Sequence, residues 1–279
     1  MGRVTKRTPS VRVTLGADGA STTRRPDTLA VEEPLEIRVA NASVTVTMRT
    51  PGDDFDLTLG WLVTEGMLED AGQVRQLMHC LDEDESGAPT YNVVDVTLTE
   101  GARLDTTRAQ RSTYTSSACG VCGKTSIDAI TARSRYAVSA DPVRLSPEVL
   151  LGLPDALRSR QEVFDRTGGL HAAGLFTATG DALVVREDVG RHNAVDKVVG
   201  WAAREGRLPL AGHVLAVSGR ASFELVQKAV MAGIPALVAV SAPSSLAVEL
   251  AQASGLTLAA FTRSPRMTLY SGAERVVAQ

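Results

Sequence analysis

The chain has 279 residues, 44% of them apolar and only 4% aromatic, and its 29 Lys and Arg against 32 Asp and Glu leave a net charge of −3. That length suits one large or two modest domains with a real apolar core, and the charge balance gives no general attraction to nucleic acid or anionic membrane. No stretch approaches the ~18 apolar residues of a membrane span, and no apolar run follows the basic start, so a cytoplasmic protein with reduced thiols is expected.

Residues 1–30 are rich in Arg, Thr and Pro and show no clear period, which predicts a flexible tail. Order begins at EPLEIRVANASVTVTMRT, where Leu35, Ile37 and Val39 alternate, NAS turns, and Val44, Val46 and Met48 alternate again, the pattern of a hairpin. Phe55, Leu59, Leu62 and Val63 recur at helical spacing, with Gly66 as a C-cap. QVRQLMHC and YNVVDVTLT read as strands joined by the solvated acidic loop LDEDESGAP. The segment around the pair Cys119 and Cys122 has neither period and reads as a loop. Thr125 and Asp128 then match a capping box that opens a short helix.

Ser146 and Pro147 suit the N-cap and first position of a second helix. HAAGLFTATGDALVVRED reads as a hairpin turning at Thr179 and Gly180. The helix after it faces Val195, Val198, Val199 and Ala202 inward and stops at Gly206. In the last third, the apolar runs HVLAVSG, PALVAVS and LTLAAF alternate with two helical segments, which indicates a parallel sheet covered on both faces. The expected class is α/β. A β-rich region over 31–110 precedes a larger α/β domain over 111–279, with the cysteine loop at 116–124.

Ligands of open α/β sheets bind at the carboxyl ends of the strands. Those ends here are Ser218–Arg220, Ser241–Ser245 and Thr262–Arg266, which combine hydroxyl groups with arginines and suit a phosphate-bearing ligand. Polar caps on strand ends explain the same residues without any ligand. Neither a Walker motif nor a G-x-G-x-x-G occurs, against ordinary nucleoside-triphosphate or nicotinamide chemistry.

Histidines offer little local chemistry. His79 and Cys80 are neighbours on a strand and so point apart, and Cys80 is expected on the buried face with Val74 and Met78. His213 suits a solvated edge, and His171 suits either a site or a hairpin start. His192, one helical step from Val195, Asp196 and Val199, is expected half-buried and oriented by Asp196.

SSACGVCGK, Ser116 to Lys124, leaves several readings. Structural zinc needs four ligands, and there is no second Cys pair or local His pair; a deaminase zinc needs a His-x-Glu and a Pro-Cys-x-x-Cys, neither of which occurs. No metal is expected. A thiol–disulfide exchanger fits the helix start after the pair. A glycine after each cysteine and Lys124 nearby also suit a mobile thiolate that holds sulfane sulfur as a persulfide.

The series EEPLEIRV, TMRTPGDD, SSACGVCGK, TGGLHAAGLF, REDVGRHNAVDK, SGRASFELVQKAVMAGIPALVAVSAPSSLAVELA and FTRSPRMTLY resembles the FdhD family, the formate dehydrogenase accessory sulfurtransferases. The resemblance implies a fold like that of cytidine deaminases with a smaller extra domain, acting as a homodimer. It implies a sulfur carrier that takes sulfur from a cysteine desulfurase and delivers it to the molybdenum cofactor in its bis-guanine-dinucleotide form, before insertion into formate dehydrogenase. At matching positions Cys119 would carry the persulfide with Cys122 as its partner. Phe261, Thr262, Arg263, Ser264, Pro265 and Arg266 would bind the cofactor, and Arg220 is added from its strand-end position. The alternatives are a thiol–disulfide oxidoreductase and a cofactor chaperone in which the cysteines matter little.

Overall fold

A computed structural model describes residues 3–80, 90–104 and 134–277. The first departure from expectation comes at once. Strands β1 (Thr5–Gly16) and β2 (Gly19–Ala30) pair antiparallel along their whole length. Val11, Val13 and Leu15 alternate on one side of this ribbon, but all three are exposed, so the alternation marks a strand that no core covers. The predicted tail is therefore a hairpin in this structure, and Gly19 (φ 110°) supplies the left-handed residue of its turn.

A second hairpin follows as predicted, β3 (Glu33–Val39) and β4 (Ala42–Arg49). With β5 (Val74–Cys80) and β6 (Val93–Leu98) it makes a four-stranded sheet in the order β4-β3-β6-β5, with β3 and β6 parallel. Two irregularities in register overturn the simple alternation. Ile37 pairs with Thr45 but Arg38 with Ser43, so Val44 is the extra residue of a bulge. Beyond it the faces swap: Val46 and Met48 point outward, 61% and 47% exposed, while Arg49 turns inward. A second shift at Arg75 does the same to β5. Leu77 and His79 now lie opposite the buried Val96 and Val94, whereas Met78 is 51% exposed and Cys80 only half-buried. The thiol is not on a common buried face with Val74 and Met78. His79 on the other face is half-buried, stacked on Phe55 (4.8 Å between centroids) and edge-on to Tyr91.

Helix α1 (Asp54–Thr64) sits where the sequence puts it, and Gly66 (φ 69°) ends it. Helix α2 (Pro147–Arg158) starts on Ser146, whose hydroxyl accepts from the Val149 N–H. After the short helix α3 (Glu162–Thr167) come β7 (His171–Thr177), β8 (Ala182–Asp188) and α4 (Arg191–Arg204). The alternating segment is β9 (His213–Val217), α5 (Phe223–Met231), β10 (Ala236–Ala239), α6 (Ser245–Ser254), β11 (Thr257–Arg263) and β12 (Arg266–Ser271).

These strands form one six-stranded sheet, ordered β12-β11-β10-β9-β7-β8. Only β9, β10 and β11 run parallel; β7, β8 and β12 flank them antiparallel, so the sheet is mixed. Both faces are covered, as the continuous apolar runs require. On one face, Val214, Ala216, Ala236, Val238 and Ala259 pack on Leu150, Leu153 and Leu157 of α2. On the other, Leu215, Val217, Leu237 and Leu258 meet α4, α5 and α6, and this core continues through α1 into Leu35, Ile37 and Val94 of the four-stranded sheet. The class is α/β with a smaller β-rich N-terminal region.

Charges buried in this second core are held in pairs. Arg49 grips Asp54 through two nitrogens, at 2.9 and 3.1 Å. Lys197 lies 2.8 Å from Asp188, and Lys228 lies 2.9 Å from Asp196. The carboxylate of Asp56 accepts from both Arg186 and Arg204. Pairing is what makes such burial tolerable, since removing one partner and leaving a lone charge there would cost about 3–5 kcal/mol.

Candidate functional site

At the carboxyl ends of the parallel strands, Ser218 after β9, Val240 after β10 and Thr262, Arg263 and Ser264 at the end of β11 line one cleft. The opposite wall is the C-terminal half of α2, followed by Gln161 and Phe164 and then Gly168–His171. Its volume of about 610 Å³ lies within the ~300–1,000 Å³ of ordinary ligand sites.

The strand end is shaped by a bulge. Ala260 pairs with Thr268 and Arg263 with Arg266, so Phe261 and Thr262 stand against a single residue of β12. Phe261 takes φ 51°, a left-handed conformation unusual for a bulky side chain, and its ring is half-exposed. In a regular strand three successive residues could not face one cavity. Here the bulge lets Thr262, Arg263 and Ser264 do so. Thr262 is completely buried, and its Oγ1 has no hydrogen-bond partner. Most buried hydroxyls are satisfied, and this unpaired one belongs to a residue in the wall of the cleft.

Ser218 is held in place by the neighbouring strand: its hydroxyl accepts from the Ala172 N–H at 2.9 Å, and its own N–H donates to the Ala172 carbonyl. His171 lines the same cleft. Burial, with the nearby Arg191 cation, lowers its pKa, and Asp188 only partly opposes them, which favours the neutral ring.

The remaining predicted residues divide. Phe261 in β11, Pro265 on the turn and Arg266 at the start of β12 are exposed and do not belong to the wall of the cleft. Arg220 is exposed on the loop from β9 to α5 and does not line the cleft either. In Ser241–Ser245 the bland reading holds for Ser244, whose hydroxyl caps α6 by accepting from the Ala247 N–H. Cys119, Cys122 and the rest of Ser116–Lys124 lie outside the described residues, as do the acidic loop and the Thr125 capping box. Among the described residues no group of three or more His, Cys, Asp and Glu could hold a metal ion, and no helix is long and apolar enough to cross a membrane.

His192 is half-buried as expected, but Asp196 does not orient it. Its Nε2 faces the Ser222 hydroxyl at 3.3 Å and Glu224 at 3.7 Å. Burial and the cations Lys228 and Arg191 push its pKa down to about 4. Asp196 is engaged elsewhere, accepting from Thr64 Oγ1 at 2.7 Å and from Lys228. Burial raises its pKa to about 6, against the pull of Lys228. Burial alone would lower the pKa of Lys228, but Asp196 and Glu65 outweigh it and raise it.

Sequence reasoning missed the α2–α3 wall of the cleft: Arg158, Gln161 and Phe164 carry no motif and come together only in the fold. The one signal was Gly168-Gly169, which breaks the chain just before His171.

The profile of the FdhD/NarQ family matches residues 30–277. The chain belongs to the FdhD/NarQ family. It is 56% identical over 277 residues to a protein of Streptomyces avermitilis named sulfur carrier protein FdhD, covering 99% of this chain and 97% of that one. A protein of the same name from Mycolicibacterium paratuberculosis is 58% identical over 252 residues, covering 90% and 93%. Among solved structures, one from Desulfotalea psychrophila, described as a formate dehydrogenase accessory protein, superposes with a TM-score of 0.73. It is 24% identical, and the match covers 97% of this chain and 99% of that one, a likeness of fold. For this FdhD/NarQ member, the cleft therefore sits on the family's own fold, with FTRSPR on its rim.

Proposed function

We propose that the chain is a sulfur carrier in the maturation of formate dehydrogenase, with persulfide chemistry on Cys119 and a guanine-dinucleotide form of the molybdenum cofactor bound as substrate in the strand-end cleft. The carrying observation is the buried, unpartnered Thr262 hydroxyl beside Arg263 and Ser264 in a cleft of ligand size. A phosphate oxygen would satisfy that hydroxyl, and a guanidinium at the rim would balance its charge despite the acidic chain. Full-length relatives named sulfur carrier protein support the sulfur half of the reading.

The chemistry balances with the thiols the chain has. The Cys119 thiolate attacks the terminal sulfur of a desulfurase persulfide, forming a new S–S bond while the desulfurase cysteine leaves as thiolate. The sulfur so held is sulfane sulfur. If the Cys122 thiolate then attacks the Cys119 sulfur, a Cys119–Cys122 disulfide forms and sulfide is released toward the acceptor; a cellular thiol reductant restores the pair. The protein acts as a sulfurtransferase in this scheme, with a cysteine desulfurase as donor and formate dehydrogenase as client.

Mass spectrometry after incubation with a desulfurase and cysteine tests the proposal. One added sulfur atom on the peptide holding Cys119, absent in Cys119→Ala, is the expected result. Full activation of formate dehydrogenase by Cys119→Ala would overturn the carrier and leave a chaperone.

A further inference from the structure

We propose that the α2–α3 wall of the cleft is a stacking platform for the guanine base, with Arg158 as the surface on which the base lies. The proposal rests on the nucleotide reading above and adds how the base, rather than the phosphates, is held.

Three observations build the platform. The Arg158 guanidinium lies over the Phe164 ring, 4.7 Å from its centroid, and forms an ion pair with the Asp165 carboxylate. The ring thus backs the guanidinium and Asp165 holds its charge, while half of the side chain, 49%, stays exposed. Phe164 is itself fixed: the Glu187 carboxylate on β8 accepts from the backbone N–H groups of Val163 and Phe164, both at 2.8 Å. That contact sets the first turn of α3 against the sheet.

The third observation is Gln161. It is 3% exposed and lines the cleft. An amide offers one donor and one acceptor edge, which suits the ring edge of a base. A planar guanidinium backed by a ring is the kind of surface on which nucleobases stack, and an ammonium is not. The strand ends supply hydroxyls and Arg263 for the phosphates, so the two walls divide the ligand between base and phosphate.

Calorimetric titration of the full chain with guanosine diphosphate, and separately with inorganic pyrophosphate, tests this. Arg158→Ala and Arg158→Lys should each weaken guanosine diphosphate about tenfold, the usual scale of one lost stacking partner, and leave pyrophosphate unchanged. Phe164→Leu, which keeps the apolar contact, should give a smaller loss, and Arg263→Ala should weaken both ligands. Unchanged guanosine diphosphate affinity in Arg158→Ala would overturn the platform while leaving the nucleotide site standing. Full affinity in Arg158→Lys, or equal loss of both ligands in Arg158→Ala, would overturn stacking in favour of plain charge. Binding of neither probe by the wild type would remove the nucleotide reading and the platform with it.

Discussion

The two faces of the six-stranded sheet are built on opposite rules. On the α4 side, helices approach so closely that only glycine fits at the crossing, and the buried charges found there are held in ion pairs. On the α2 side, a single helix covers the strands and stops short of their carboxyl ends, leaving a cleft with exposed arginines and an unpaired buried hydroxyl. Both faces bury polar groups. The difference is that one face neutralises its buried charges in pairs within the protein, whereas the other sets an unpaired buried hydroxyl in the wall of an open cleft.

A glycine exchange on each face gives the largest contrast. A Cβ on Gly200 in α4 would stand 1.7 Å from the Asp56 carbonyl oxygen, and one on Gly60 in α1 1.8 Å from that of Asp196. Backbone lies in the way, so no side-chain adjustment helps. Gly200→Ala should therefore cost more than about 4 kcal/mol, the range of exceptional core changes. Gly152→Ala in α2 meets nothing within 4 Å and should instead add about 0.5–1 kcal/mol through helix propensity. Urea denaturation of both variants checks the pair; a mild effect at Gly200 would mean that the helix crossing yields.

The next contrast concerns charge. Lys197 donates to the Thr50 carbonyl at 2.9 Å and neutralises Asp188, which also accepts from Thr50, Gly190 and Asn193. Lys197→Met leaves a completely buried carboxylate without its counter-charge and should cost about 3–5 kcal/mol. Adding Asp188→Asn should recover part of that loss, because the amide keeps acceptor capacity without the charge. A shift in the urea midpoint reads both steps, and no recovery in the double variant would show that the hydrogen bonds of Asp188 outweigh its ion pair.

The sequence revealed these faces unevenly. Helices α1, α2 and α4 and strands β9, β10 and β11 announced themselves through period, caps and stop glycines, because those signals are local. The first hairpin was hidden by its Arg- and Thr-rich composition, although Val11, Val13 and Leu15 alternate ahead of the Gly16–Gly19 turn. Alternation also could not show where a bulge reverses it, and so misplaced Val46, Met48 and Cys80. In the site, strand-end logic found Ser218, Thr262 and Arg263. It also picked Arg220 and Arg266, which share the strand-end region but not the cleft. Arg158 and Phe164 were out of reach, since what makes them a pair is a contact between two helices and a carboxylate on a third element.

The smallest expected effect separates the two faces most directly, because it differs in sign. Thr64 and Thr262 are both completely buried. The Thr64 hydroxyl donates to Asp196 and accepts from Lys228 at 3.0 Å, whereas that of Thr262 has no partner. Thr64→Val removes a satisfied group, leaves two charges short of a partner and should cost about 2 kcal/mol. Thr262→Val deletes an unsatisfied hydroxyl at nearly constant shape and should raise stability by about 1 kcal/mol. The same change should weaken guanosine diphosphate about tenfold, the scale of one hydrogen bond to a charged group. A gain in stability with a loss in affinity would establish that this hydroxyl is kept unpaired for a ligand. If Thr262→Val loses stability as Thr64→Val does, the hydroxyl belongs to the frame, and the cleft loses its anchor.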